Sequence, residues 1–186
     1  MFNNFTTREL VFIALMSALV FVINFVIGGA VNAATGIPLS SAFFTALIFG
    51  VCVIILGLSI PKFGAFTLFL LIYSILEMPT SLGGAPGFWP KIPINAITGL
   101  VADSVLGFVR YRKWAIFIAF YVLATVNLLT FAFFLWALGL PGAEKLIKLL
   151  PILIGSYWII GTIGLFIGLH IWKRIKEKRL IRQLKG

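Results

Sequence analysis

The sequence is poor in the side chains on which soluble enzymes depend. It contains one cysteine, one histidine and five carboxylates among 186 residues. Cys52 therefore cannot form an internal disulfide, and His170 has no carboxylate or thiol at the spacing of a metal site. The chain also lacks a nucleophile elbow, an HExxH motif and a Walker lysine loop. We expect no catalytic residues, no metal and no cofactor, and any process that requires ATP hydrolysis would have to draw on a separate polypeptide.

Apolar residues dominate the composition instead. They make up 61% of the chain, and the mean hydropathy is +1.13. A helix that crosses a bilayer needs about 20 apolar residues, with a usual range of roughly 17 to 25. Six segments are predicted to cross, of which the third and fourth are short: 9–27, 40–58, 64–78, 94–109, 114–138 and 150–172.

The fold class follows from the demands of backbone amides in lipid. Only helices and closed barrels satisfy those amides internally, and none of the six segments alternates in polarity as a barrel strand would. The sequence therefore predicts an all-α integral membrane protein. It should form one domain over residues 1–186, a six-transmembrane-helix bundle with multiple passes through the cell membrane.

The positive charge indicates a topology rather than nucleic-acid binding. The net charge is +10, and six crossings would place most cations on one face of the membrane. The positive-inside rule then puts this face, with the N and C termini, in the cytoplasm. The basic tail, 173–186, is expected to rest on anionic membrane lipids. The cytoplasmic cations would be Arg8, Lys62, Arg110, Arg112, Lys113, Lys173, Arg174, Lys176, Lys178, Arg179, Arg182 and Lys185, and the outer ones Lys91, Lys145 and Lys148.

The connection 77–93 is the most irregular part of the chain. It contains four prolines and three glycines, which exclude a helix, together with aromatic side chains that favour folding back into the mouth of the bundle. It brings Glu77, Trp89 and Lys91 close to Asn95, and a few polar groups in an apolar setting are typical of a small-molecule site. An aromatic belt with a Glu77–Lys91 ion pair is the alternative. The other outer connection, 28–38, fits either a gate or a plain linker.

Polar residues also occur within the predicted spans. Asn127 and Tyr157 each fit either ligand contact or interhelical hydrogen bonding. One polar side of the fourth span should face the bundle or a wet cavity; it comprises Asn95, Thr98, Gly99, Ala102 and Asp103. Because an Asp near mid-helix costs about 2.5 to 3.5 kcal/mol, Asp103 needs compensation. An ion pair with Arg110 or Arg112 is one account, and a proton or cation relay is the other.

Small residues four apart allow close helix packing in lipid. Two such stripes, in the second and sixth spans, are expected to pack within the bundle: Ala42, Ala46 and Gly50, and Gly161, Gly164 and Gly168. Ala14 and Ala18 make a similar stripe in the first span, where internal packing and a partner surface are both possible interpretations.

Three features together carry a resemblance to a known family. They are Ala14 and Ala18, the Gly-, Pro- and aromatic-rich connection 77–93, and the phrase GLVADSVLG at 99–107 followed by RYRK at 110–113. In these features, and in its architecture over nearly the whole length, the chain resembles the substrate-binding S components of energy-coupling factor (ECF) transporters. These are small six-helix membrane proteins of bacteria and archaea.

The resemblance implies a function and partners. It implies high-affinity binding of a vitamin or related micronutrient at the extracytoplasmic side, followed by inward delivery. Ala14 and Ala18 would meet a membrane-embedded T component, itself coupled to two ABC ATPases. The ligand would lie among the fourth to sixth helices, which overlaps the site inferred from Trp89, Asn95 and their neighbours. No motif specific for thiamin, riboflavin, biotin or folate matches, so the substrate stays open.

Two other functions compete with this one. A self-sufficient channel or facilitator would need a continuous polar path, yet the cytoplasmic halves of the spans are mostly apolar. A non-transporting assembly subunit would need no cavity at all, and the polar outer residues would then be merely interfacial.

Overall fold

The computed structural model describes residues 5–30, 40–82, 84–109, 113–140 and 142–177. Within these ranges the chain forms six helices and no strand, which confirms the all-α prediction. The helices are α1 Thr7–Ile23, α2 Ser40–Ser59, α3 Ala65–Glu77, α4 Lys91–Phe108, α5 Lys113–Ala137 and α6 Ala143–Ile175. A π-helical segment, Asn24–Gly28, continues α1.

Three helical stretches of the described chain are long and apolar enough to cross a membrane. They are Thr7–Gly28, Trp114–Ala137 and Ala143–Ile175. Each of the six helices overlaps one predicted span, although α6 begins at Ala143 rather than at residue 150. The first turns of α6 contain lysines, so they were not part of the apolar run from which the span was predicted. That the shorter helices also cross, and that both termini are cytoplasmic, stays a prediction.

Successive helices alternate in direction. The most extensive helix contact is between α2 and α6, followed by α3 with α4 and then α4 with α5. α1 lies along α3. At one end of α1 the Glu9 carboxylate binds Lys62 at 2.8 Å, and near the other Asn24 binds Tyr73 at 3.2 Å, so α1 and α3 run parallel. We call the end with the connections 78–90 and 138–142 the distal end, and the end with Glu9 and Lys62 the proximal end.

Glycines set the contact between α2 and α6. A Cβ placed on Gly164 would collide with the carbonyl oxygen of Leu47, and one on Gly50 would collide with the carbonyl of Gly161. Backbones that approach this closely gain dispersion contacts that larger side chains would prevent. The glycines of both stripes therefore pack inside the bundle, as does Ala46, which is 1% exposed. The side chain of Ala42 lies outside the described residues.

Asp103 is compensated by a helix terminus. Its carboxylate is fully buried and accepts hydrogen bonds from the backbone N–H groups of Phe66, at 3.2 Å, and Thr67, at 2.9 Å. The Thr67 hydroxyl donates a third bond at 2.6 Å. These amides open α3, where helix N–H groups lack partners and the dipole favours an anion. Arg110 and Arg112, the partners expected from the sequence, lie outside the described residues.

The proximal half of the bundle is solid. Ile60, Phe66, Leu106 and Ile116 are all 0% exposed and belong to one hydrophobic core. That core extends distally through Phe69 and its neighbours until it meets a cavity.

Candidate functional site

A cavity of about 200 Å³ lies in the distal half of the bundle, among α2 to α6. Its walls are largely aromatic and aliphatic, with a few polar groups between them. The polar lining residues are Thr45, Glu77, Lys91, Asn95 and Asn127, and the aromatic ones are Phe49, Tyr73, Phe120, Phe131 and Tyr157. A mostly apolar chamber with a small number of placed polar groups is the usual make-up of a small-molecule site.

The structure brings together five of the six residues predicted for the site. Glu77 ends α3, Lys91 and Asn95 lie in the first turns of α4, and Asn127 and Tyr157 come from α5 and α6. They meet because alternating helices return their distal ends to one place.

Trp89, the sixth predicted residue, is not part of the lining. Its side chain is 56% exposed, and its ring packs edge to face on Phe134 at 5.9 Å between centroids. Between α3 and α4, the described residue that lines the cavity is Leu82. Trp89 precedes α4 directly and contacts α5 from outside, a position typical of an aromatic anchor at a membrane interface.

Lys91 is buried but already engaged. Its ammonium, in a side chain 2% exposed, donates to the carbonyl oxygens of Glu77 at 3.0 Å and Thr80 at 2.8 Å. These carbonyls lie at the C-terminal end of α3, where a cation is favoured by the helix dipole. Lys91 therefore caps α3. Its ammonium does not form the ion pair considered above, because it does not lie within 4 Å of the Glu77 carboxylate.

The Glu77 carboxylate lines the cavity without a hydrogen-bond donor from the part of the chain that the structure describes. The residue is only 7% exposed. A buried carboxylate is costly unless it is paired or hydrogen-bonded, so this group has unused capacity to bind a donor. It is the most distinctive chemical feature of the chamber.

The neighbouring amides are also weakly engaged. Asn95 is 7% exposed, and among the described residues nothing bonds its side chain. The Nδ2 atom of Asn127 lies 3.5 Å from the Thr98 hydroxyl oxygen, at the limit of a hydrogen bond. Hydrogen bonds between helices therefore use little of the hydrogen-bonding capacity of the Asn95 and Asn127 side chains.

Apart from Tyr157, the aromatic lining of the cavity was not predicted from the sequence. Phe49 and Tyr73 meet edge to face at 5.2 Å, and the Tyr73 hydroxyl accepts a bond from Asn24 in the π-helical segment. Single-turn π segments are frequent near functional sites. One signal was present in the sequence, because Tyr73 and Glu77 are four apart and must share a face of α3.

Ala14 and Ala18 lie at the edge of the packed face of α1. Both are half-buried, whereas Leu15 is 65% and Leu19 is 54% exposed. The helix is fixed to α3 by residues such as Ser17, whose hydroxyl donates to the Phe69 carbonyl at 2.9 Å. The two alanines thus border a broad apolar surface on one side of the bundle.

Comparison with known protein families gives a match over most of the chain. A family model described as "Hypothetical bacterial integral membrane protein (Trep_Strep)" matches residues 7–140. No curated protein and no solved structure matches the chain. The matched range covers α1 to α5 and contributes most of the cavity. The chain therefore belongs to the Trep_Strep family of bacterial integral membrane proteins.

Proposed function

We propose that this protein is a solute-capture subunit of the ECF S-component type, which binds a small vitamin-like molecule at its distal end. The observation that carries the proposal is the cavity of about 200 Å³, whose aromatic and aliphatic lining includes three polar side chains without a strong protein partner, Glu77, Asn95 and Asn127. With the positive-inside orientation, this end faces the outside of the cell.

The shape of the interior favours capture over conduction. Beneath the cavity, Phe66, Phe69 and Leu70 are at most 1% exposed, and no polar path continues through the described residues of the proximal half. A channel or facilitator would need such a path. An assembly subunit would need no chamber, and Glu77 would then be a buried charge without a use.

The size of the cavity restricts the solute. Pockets for drug-sized ligands usually measure roughly 300 to 1,000 Å³. A chamber of about 200 Å³ suits a smaller molecule.

Transport would then require partners. In this proposal Ala14 and Ala18 form a shallow surface that docks a membrane-embedded T component, and two ABC ATPases bound to it supply the energy. Small side chains at such a surface let the partner helix approach closely, and the apolar residues beside them add contact area.

A docking test does not require the solute to be known. Ala14→Trp or Ala18→Trp should reduce the amount of T component and ATPases that co-purify with the tagged protein at least tenfold, because an indole would hold the partner helix away. Small molecules retained by the purified variants, measured by mass spectrometry, should match those of the wild type.

The matched control places the same bulk elsewhere on the surface. Ile159 on α6 is 69% exposed, so Ile159→Trp should leave co-purification unchanged. Equal recovery of the ATPases with all three variants would contradict the docking surface.

A further inference from the structure

We propose that the solute held in this cavity carries a protonated nitrogen, which binds the Glu77 carboxylate while its ring or apolar part rests against the aromatic wall. The inference rests on the proposed function and names the chemical class of the cargo: a small organic ammonium, most simply a single ring with an amine or a protonated ring nitrogen.

The first step is that, among the described residues, no cation lies within 4 Å of the Glu77 carboxylate. Lys91, the nearest candidate, directs its ammonium to two backbone carbonyls, at 3.0 and 2.8 Å. The described part of the chain holds one ion pair within 4 Å, between Lys62 and Glu9 at the proximal end. Glu77 is only 7% exposed, and its carboxylate lines the cavity.

The second step concerns the groups around that carboxylate. Tyr73, one helical turn before Glu77 on the same face of α3, and Tyr157 of α6 both line the cavity together with Glu77. Aromatic faces attract cations, and the attraction is larger in a desolvated site than on a surface. A carboxylate beside two tyrosine rings, with Phe49 edge-on to one of them at 5.2 Å, favours a cation over an anion of similar size.

The third step concerns the rest of the solute. The side-chain amides of Asn95 and Asn127 offer both donors and acceptors, so they can bind a hydroxyl or a ring nitrogen on the same molecule. Leu82 and Phe131 cover the apolar remainder. The cavity therefore offers one carboxylate that accepts no hydrogen bond from the described residues, two side-chain amides, and an apolar surround.

Three probes with the same ring and different charge test the inference. Benzylamine, benzyl alcohol and benzoate are titrated into the purified full-length protein in detergent, and binding is followed by tryptophan fluorescence or calorimetry. We expect benzylamine to bind at least tenfold more tightly than benzyl alcohol, and benzoate to bind more weakly than either.

Two glutamate variants test whether the Glu77 carboxylate causes the preference for benzylamine over benzyl alcohol. Glu77→Gln keeps the shape and removes the charge, so benzylamine and benzyl alcohol should then bind within about twofold of each other. Glu144→Gln removes an exposed carboxylate near the same end and should keep the full preference. Should Glu77→Gln fail to fold, Tyr157→Leu should weaken benzylamine binding three- to tenfold and benzyl alcohol binding less.

The contrary outcomes are distinct from those of the docking test. If benzylamine binds no better than benzyl alcohol, or if neither binds, the inference is wrong, and the same holds if Glu144→Gln abolishes the preference. Loss of ATPase co-purification, by contrast, bears on the proposed function and leaves the charge preference of the cavity unaffected.

Discussion

Replacing Gly164 by alanine is expected to cost at least about 3 kcal/mol of stability, the upper end of what overpacking usually costs. A Cβ at this position would collide with the carbonyl oxygen of Leu47 and would stand 3.2 Å from the Cα of Gly50. Both are backbone atoms, which cannot rotate away as a side chain can. α2 and α6 would have to separate, and their contact is the most extensive in the bundle. The measurement is the thermal unfolding of the purified variant in detergent.

Gly155 provides a control in the same helix. A Cβ at Gly155 would meet nothing within 4 Å, so Gly155→Ala should leave the unfolding temperature unchanged or raise it slightly. Gly164→Leu, with a larger side chain, should yield no monodisperse protein. Equal unfolding temperatures for Gly164→Ala and Gly155→Ala would show that the helices do not approach as closely as described.

The second large effect is expected at Asp103. Asp103→Ala would leave two N–H groups without their acceptor, that of Phe66, which is 0% exposed, and that of Thr67, which is partly buried. Each buried donor left unsatisfied costs about 1 to 3 kcal/mol. We expect a loss of roughly 2 to 5 kcal/mol in the free energy of unfolding. Thermal or denaturant unfolding in detergent measures this loss.

Two further variants distinguish the loss of the Asp103 hydrogen bonds to the start of α3 from a general effect of mutation in this region. Ser104→Ala removes a hydroxyl that bonds only within its own helix, to the Leu100 carbonyl, and should cost little. Thr67→Val removes the hydroxyl bond to Asp103 but keeps both amide bonds, so its effect should lie between the two. If Asp103→Ala unfolds at the same temperature as Ser104→Ala, the carboxylate does not stabilise α3.

The positions of the helices followed from the sequence because lipid leaves the backbone little choice. Apolar runs of sufficient length have to be helical there, and α1, α2 and α5 overlap their predicted spans closely. The start of α6 was misplaced because its first turns are polar. Here Gly142, in the left-handed region with a φ of 91°, marks where the helix begins.

The site could be predicted only where its chemistry is conspicuous. Glu77, Lys91 and Asn95 are polar residues in an apolar chain, so the sequence alone draws attention to them. Phe49 lies within an apolar run, and nothing local distinguishes a ring that faces a cavity from one that fills the core. Trp89 was assigned to the site because its ring is large, but its direction depends on contact with α5.

The partner of Asp103 was beyond sequence reasoning for a similar reason. The sequence suggested Arg110 or Arg112 as a counter-charge, and both lie outside the described residues, whereas the donor at Phe66 lies 37 residues away along the chain. Only the antiparallel packing of α3 and α4 brings the two together. A helix terminus carries no formal charge, so a search for oppositely charged residues cannot find it.

α3 has 13 residues, and at 1.5 Å per residue it is about 20 Å long, shorter than the roughly 30 Å of a hydrocarbon core. Both its ends would therefore lie where lipid supplies no hydrogen bonds, and α4 supplies them instead, with Asp103 at the start and Lys91 at the finish. Hydrogen bonds at both ends therefore join α3 to α4, and Glu77 lies beside one of them. Under the proposed function, we expect any movement that admits or releases a solute to occur between this pair and the other helices.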